Sequence, residues 1–206
     1  MFVKICGITT EEVALAAVDG GADFIGFVFA DSKRKIDLAD AAMIAKSIPA
    51  SVKKVGLFVN ETIETMIKTA EDVGLDVIQL HGDEPAEIAE QLPYEIIKAF
   101  PAEKESFDVI KDYPCDYILL DAPSKKYRGG NGIVFDWDLL DDLELDHSKL
   151  ILAGGLTPDN VEVAIEKVDP IAVDVSSGVE TDGNKDIEKI KKFIRNAKQT
   201  RKDDLT

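Results

Sequence analysis

The chain has 206 residues, 45% hydrophobic and 31% charged, enough to bury one substantial core and ordinary for a soluble globular protein. Its 40 acidic against 24 basic residues give a net charge of −16, which repels nucleic acid and anionic membranes, so any anionic small molecule needs a site built locally from backbone amides and a few cations. No apolar run approaches the roughly 18 residues of a membrane span, no secretory leader is evident, and Cys6 and Cys115 lack the histidine neighbours of a zinc site, so a cytoplasmic protein without a metal or disulfide scaffold is expected.

Short apolar runs rich in β-branched residues read as strands, and the amphipathic stretches between them as helices. A strand over 2–6 is followed by a helix over 11–19, with Thr10 as its cap. Strand 24–29 leads to helix 38–47, and strand 54–59 to helix 61–73, which Asn60 would cap and Gly74 would end. Strand 77–80 precedes helix 86–92, strand 95–100 precedes helix 104–111, and strand 116–120 precedes helix 138–143. Strand 150–153 is followed by helix 160–168, whose start is read in Thr157-Pro158-Asp159 with proline at an early helical position, and strand 171–175 by helix 187–198. Eight such units predict an α/β fold, a single (β/α)8 TIM barrel over residues 1–198 with a polar tail over 199–206. A doubly wound open sheet is the structural rival, but Gly7-Ile8-Thr9 is not the dinucleotide fingerprint that such a sheet would carry after its first strand.

A barrel places its chemistry at the C-terminal ends of its strands, so the strand tips are the candidate site. Alternation puts Lys4 and Cys6 on one face, with Cys6 at the mouth and Lys4 read as an interior lysine paired with Asp174. After the second strand, Arg34 in Asp31-Ser32-Lys33-Arg34-Lys35 is either a planar fork for a carboxylate or part of a solvated basic loop. Gln79 and His81 share a face at the fourth tip and are read as substrate contacts, while His147 reads as surface. Asp121 ends the sixth strand facing the mouth, where a carboxyl and a thiol suit paired proton transfer. The loop after it, Arg128-Gly129-Gly130-Asn131-Gly132, suits a mobile lid. Gly154 and Gly155 at the seventh tip, with Ser176, Ser177 and Gly178 at the eighth, predict a phosphate site.

Taken in order, Lys4-Ile5-Cys6-Gly7-Ile8-Thr9, Gly56-Leu57-Phe58-Val59-Asn60, Gln79-Leu80-His81-Gly82 and Leu120-Asp121 resemble the motifs of the phosphoribosylanthranilate isomerases of tryptophan biosynthesis. The resemblance continues through Gly129-Gly130-Asn131-Gly132, Phe135-Asp136-Trp137, the run from Leu152 to Asn160 and the run from Asp174 to Glu180. It covers nearly the whole chain. One departure is Lys33, where the family commonly has proline.

The resemblance implies a cofactor-free Amadori rearrangement of a phosphorylated small molecule, N-(5-phosphoribosyl)anthranilate. In it Asp121 is the general acid and Cys6 the general base, and Arg34 holds the anthranilate carboxylate. Gln79, His81 and Asp174 join the binding wall, and Gly154, Gly155, Ser176, Ser177 and Gly178 hold the phosphate. This chemistry calls for a Cys6 thiol lowered somewhat from its ordinary value, an Asp121 carboxyl raised from its own, and a bell-shaped pH dependence. The alternatives are another phosphosugar aminoaldose isomerase, whose histidine-pathway member resembles a pair of aspartates where Cys6 and Asp121 stand, or a silent barrel serving as a binding module. Nothing in the sequence decides between a monomer and a homodimer.

Overall fold

Strands that are apolar on both faces need cover on both sides, and this chain supplies it by closing its sheet on itself and wrapping the outside with helices. The computed structural model describes residues 1–102, 107–121 and 145–200. Its strands are β1 (Phe2–Cys6), β2 (Phe24–Val28), β3 (Lys53–Phe58), β4 (Val77–Leu80), β5 (Glu95–Pro101), β6 (Tyr117–Asp121), β7 (Leu150–Ala153) and β8 (Ala172–Val175). They pair in parallel in chain order, and β8 returns to β1 with Phe2 opposite Ala172 and Lys4 opposite Asp174, closing the expected barrel.

The helices are α1 (Glu11–Gly20), α2 (Leu38–Ser47), α3 (Ile63–Val73), α4 (Ala86–Glu90), α5 (Phe107–Ile110), α6 (Val161–Val168) and α7 (Ile187–Thr200). A short antiparallel hairpin of β9 (Glu180–Thr181) and β10 (Asn184–Lys185) follows β8. The helix expected over 138–143 and the Arg128 loop lie outside the described residues.

Two apolar layers result. Outward strand residues such as Ile5, Ile78 and Leu120 pack under the helices with Phe193 and Ile194 of α7. Inward residues Phe24, Val55, Val77, Ile97, Leu119 and Ile151 fill the barrel. The N-terminal end is closed by Lys53, whose ammonium meets Glu95 at 2.7 and 2.5 Å and lies 6.0 Å from the ring centres of Phe24 and Tyr117. The C-terminal end is left open.

Three local expectations are corrected. Asn60 does not cap α3; that role falls to Thr62, whose hydroxyl accepts from the Thr65 N–H at 3.2 Å. Asn60 instead adopts a left-handed φ of 51°, which its short polar side chain tolerates, and bridges two loops. Its N–H donates to Glu84 at 2.7 Å and its side-chain oxygen accepts from the Asp83 N–H at 2.8 Å. Thr157-Pro158-Asp159 forms a turn before α6, and Asn160 is the cap position. Helix α7 runs on to Thr200, two residues into the stretch expected to be tail.

One buried ion pair braces the mouth. The Lys98 ammonium reaches Glu84 at 2.8 Å and the Gly82 carbonyl at 2.5 Å, with both side chains at most 4% exposed. Burial alone would raise the Glu84 carboxyl, but Lys98 and the Asn60 N–H outweigh it and hold it below its ordinary value. Lys98→Met is expected to destabilise the fold by about 3 kcal/mol in urea unfolding, because it strands a buried carboxylate. A depressed carboxyl stabilises above its unfolded value, so the gap between wild type and variant should close as pH falls below about 4.3.

Candidate active site

The open end of the barrel holds a cavity of about 420 Å³ whose wall includes Cys6, Arg34, Gln79, His81 and Asp121. Gly154, Gly155, Asp174, Ser176, Ser177 and Gly178 also line it, so the catalytic and binding candidates named at the strand tips face one space, the Arg128 loop lying outside the described residues. That volume lies in the range of small-molecule sites.

Cys6 reaches the cavity because it is the last inward residue of β1. Gly7 then turns the chain away at a φ of 78°, and a Cβ there would strike the Arg34 side chain. Cys6 is 5% exposed, and its backbone carbonyl accepts from the Ser176 hydroxyl at 3.2 Å. Burial pushes the thiol above its ordinary value; Lys4 pulls it down and Asp174 pushes it further up, but burial prevails. This overturns the expectation of a lowered thiol, since the strand tip proves drier than a mouth position suggests.

Asp121 enters from β6, three strands round the barrel from β1, with a side chain 47% exposed. His81 Nε2 stands 3.8 Å from its Oδ2, and Gln79 Nε2 lies 2.9 Å from His81 Nδ1. With the Gln79 amide donating to Nδ1, neutral His81 carries its proton on Nε2, the atom that faces Asp121. Gln79 is fully buried, and its Oε1 has no hydrogen-bond partner among the described residues.

Arg34, its side chain 31% exposed, is engaged rather than free. Its Nε and Nη2 donate to the two oxygens of Glu180 at 2.6 and 2.8 Å, a side-on bidentate pair. Glu180 also accepts from Lys185 at 2.8 Å, and Lys185 in turn donates to the carbonyl and hydroxyl of Ser176 at 2.9 and 3.2 Å. Burial alone would raise the Glu180 carboxyl, but its bonds to Arg34 and Lys185 outweigh it and hold it down at about 2. Two of the five guanidinium N–H groups are therefore taken, and the Nη1 edge remains for one further carboxylate.

Sequence reading missed the part played by Glu180 and Lys185. Glu180 lies 146 positions from Arg34, and Lys185 sits in a polar hairpin whose spacing signals nothing.

The seventh and eighth tips form the other wall. Gly154 and Gly155 have φ values of 81° and 67°, conformations that L side chains rarely adopt. A Cβ on Gly178 would overlap the Leu156 carbonyl oxygen, so the two tips touch backbone to backbone. Asp174 lines the cavity while its Oδ1 accepts from Lys4 Nζ at 2.9 Å.

The family model described as N-(5'phosphoribosyl)anthranilate (PRA) isomerase matches residues 3–196. A relative from Listeria monocytogenes named N-(5'-phosphoribosyl)anthranilate isomerase is 54% identical over 199 residues, 96% of this chain and 98% of that protein. The crystal structure of phosphoribosyl anthranilate isomerase from Thermotoga maritima superposes with a TM-score of 0.86 at 44% identity, covering 97% of this chain and 99% of that one. A second structure of such an isomerase, in complex with reduced 1-(o-carboxyphenylamino)-1-deoxyribulose 5-phosphate, gives 0.83 at 43% identity over the same shares.

Proposed function

The chain belongs to the N-(5'-phosphoribosyl)anthranilate isomerase family, and from that premise we propose how the residues of its cavity divide the work. The protein isomerises N-(5-phosphoribosyl)anthranilate to 1-(2-carboxyphenylamino)-1-deoxyribulose 5-phosphate in tryptophan biosynthesis. Asp121, as a carboxylic acid, protonates the ribose ring oxygen; the C1–O bond breaks and the nitrogen lone pair forms an iminium at C1. The iminium is an electron sink, so the C2 hydrogen becomes acidic enough for a thiolate. Cys6 takes that proton, the C2–H electrons form the C1–C2 double bond, and the enolamine tautomerises to the ketone. Substrate and product have the same atoms, and the protonation states of the two side chains are reset between turnovers.

The remaining wall binds and orients. The free edge of Arg34 takes the anthranilate carboxylate, Gln79 and His81 contact the ring-opened sugar, and Asp174 holds the base of the wall. Gly154, Gly155, Ser176, Ser177 and Gly178 leave their backbone N–H groups unscreened by bulky side chains for the phosphate. The observation that carries this division is that Cys6 and Asp121 enter one cavity from β1 and β6, with Arg34 and the glycine-walled tips lining the same cavity.

Turnover followed as the decay of anthranilate fluorescence tests it, together with rescue of a tryptophan auxotroph lacking this step; no turnover would overturn the reading. Arg34→Lys is expected to raise KM about tenfold or more with a smaller change in kcat, since a lysine cannot serve Glu180 and a substrate carboxylate as a planar fork does. An unchanged KM would remove the carboxylate from that edge. No helix among the described residues is long and apolar enough to cross a membrane, which supports a cytoplasmic enzyme.

A further inference from the structure

Lys4 is fully buried inside the barrel, the inward residue of β1 next below Cys6. Burying an ammonium and the Asp174 carboxylate costs more than a pair of apolar side chains of similar volume would, so this pair is a poor device for stability alone. Its position explains it better. Gly26 of β2 lies beside both groups: a Cβ there would sit 3.2 Å from Cys6 Sγ and 3.3 Å from Lys4 Nζ. With hydrogen in that place, the ammonium and the sulfur both border the space a Gly26 side chain would fill, while the ammonium donates to Asp174 Oδ1 at 2.9 Å.

The other charges near the sulfur are differently engaged. Asp174 of β8 is the carboxylate on Lys4. Lys185 of β10 is occupied by Glu180 and Ser176, and Arg34, in the loop after β2, by Glu180. His81 of the fourth tip faces Asp121 of the sixth. Lys4 is thus the buried cation that lies beside the sulfur across Gly26, one inward position below Cys6 on β1.

We infer that Lys4 is a positioning residue for the isomerisation, its ammonium anchored by Asp174 and donating to the Cys6 sulfur so that the thiolate is held in the dry barrel interior with its lone pair toward the substrate. The inference rests on Cys6 being the base. The thiol releases its proton to solvent at the open mouth, the Lys4 ammonium keeps its own, and the thiolate then accepts the C2 proton.

The test reads the thiol without substrate. In a Cys115→Ala background, which leaves one thiol and touches no cavity residue, the iodoacetamide alkylation rate of Cys6 is measured against pH. Lys4→Met is expected to move the inflection up by about one unit or more and to slow alkylation at pH 8 about tenfold. Asp174→Asn, which frees the ammonium for the sulfur, is expected to move it down. An unchanged inflection in Lys4→Met, or shifts in the same direction in both variants, would overturn the proposal, because a merely structural lysine would give no opposed pair. In the wild-type fold, the 13Cε resonance of Lys4 should shift at the Cys6 inflection and lose that step in Cys6→Ala; a resonance blind to it overturns the proposal even if neither charge variant folds. Loss of turnover in Cys6→Ala is scored separately, so a Cys6 that pairs with Lys4 yet is not the base would be recognised as such.

Discussion

Cys6→Ala is expected to lower kcat about 10²–10⁴-fold, the usual worth of one positioned proton-transfer group, while leaving a folded protein with substrate affinity within a few-fold of wild type. The change removes one sulfur atom from a site 5% exposed, beside an open cavity into which neighbours can relax, so the barrel should survive it. Arg34 and the glycine tips, which carry the expected binding contacts, are untouched. Anthranilate fluorescence gives both constants. A variant keeping more than a tenth of wild-type kcat would show that C2 loses its proton to another group. The buried thiol also bears on pH: because burial raises it, the limb of the kcat/KM profile that belongs to Cys6 is expected above the ordinary thiol value of about 8.5.

Asp121→Asn is expected to cost kcat a similar 10²–10⁴-fold, since an amide has the shape of the carboxyl but no proton to give to the ring oxygen. The neighbouring imidazole is the competitor. His81 Nε2 lies 3.8 Å from the carboxylate and, in its neutral tautomer, points its N–H there. Were His81 the acid, His81→Gln would be the crippling change and Asp121→Asn would lose tenfold or less. The pair of variants, measured as kcat over pH 5–10, therefore assigns the acid.

Much of this was legible because the barrel imposes two simple rules. Period-two alternation in β1, β4 and β6 sends Cys6, Gln79 and Asp121 inward, and parallel closure sends all the strand ends to one mouth. Continuous apolar runs bounded by turn residues place β1, β4 and β7 at both of their observed ends and the other barrel strands to within a residue. The illegible part depends on pairing across the mouth. Nothing local tells Glu180 to meet Arg34, or Glu84 to meet Lys98, because both meetings are made by closure of the fold. The Asn60 cap failed for a related reason: an asparagine tolerates a left-handed backbone, and the neighbouring loop offered Asp83 and Glu84 as partners. Burial of Cys6 was likewise a property of the assembled mouth, invisible in a strand end followed by glycine.

If Arg34 takes the substrate carboxylate as proposed, its divided guanidinium sets a limit on what the cavity accepts. With Nε and one Nη2 hydrogen committed to Glu180, the group offers a single two-pronged edge, and a full negative charge stands directly behind it. A flat, singly charged carboxylate matches that edge. A second phosphate would bring a larger, more highly charged head toward the same place, face the Glu180 anion, and find no further arginine among the described residues lining the cavity. Under the role proposed for Arg34, the arrangement is a charge filter that favours an aromatic acid at one end of the sugar over a substrate phosphorylated at both.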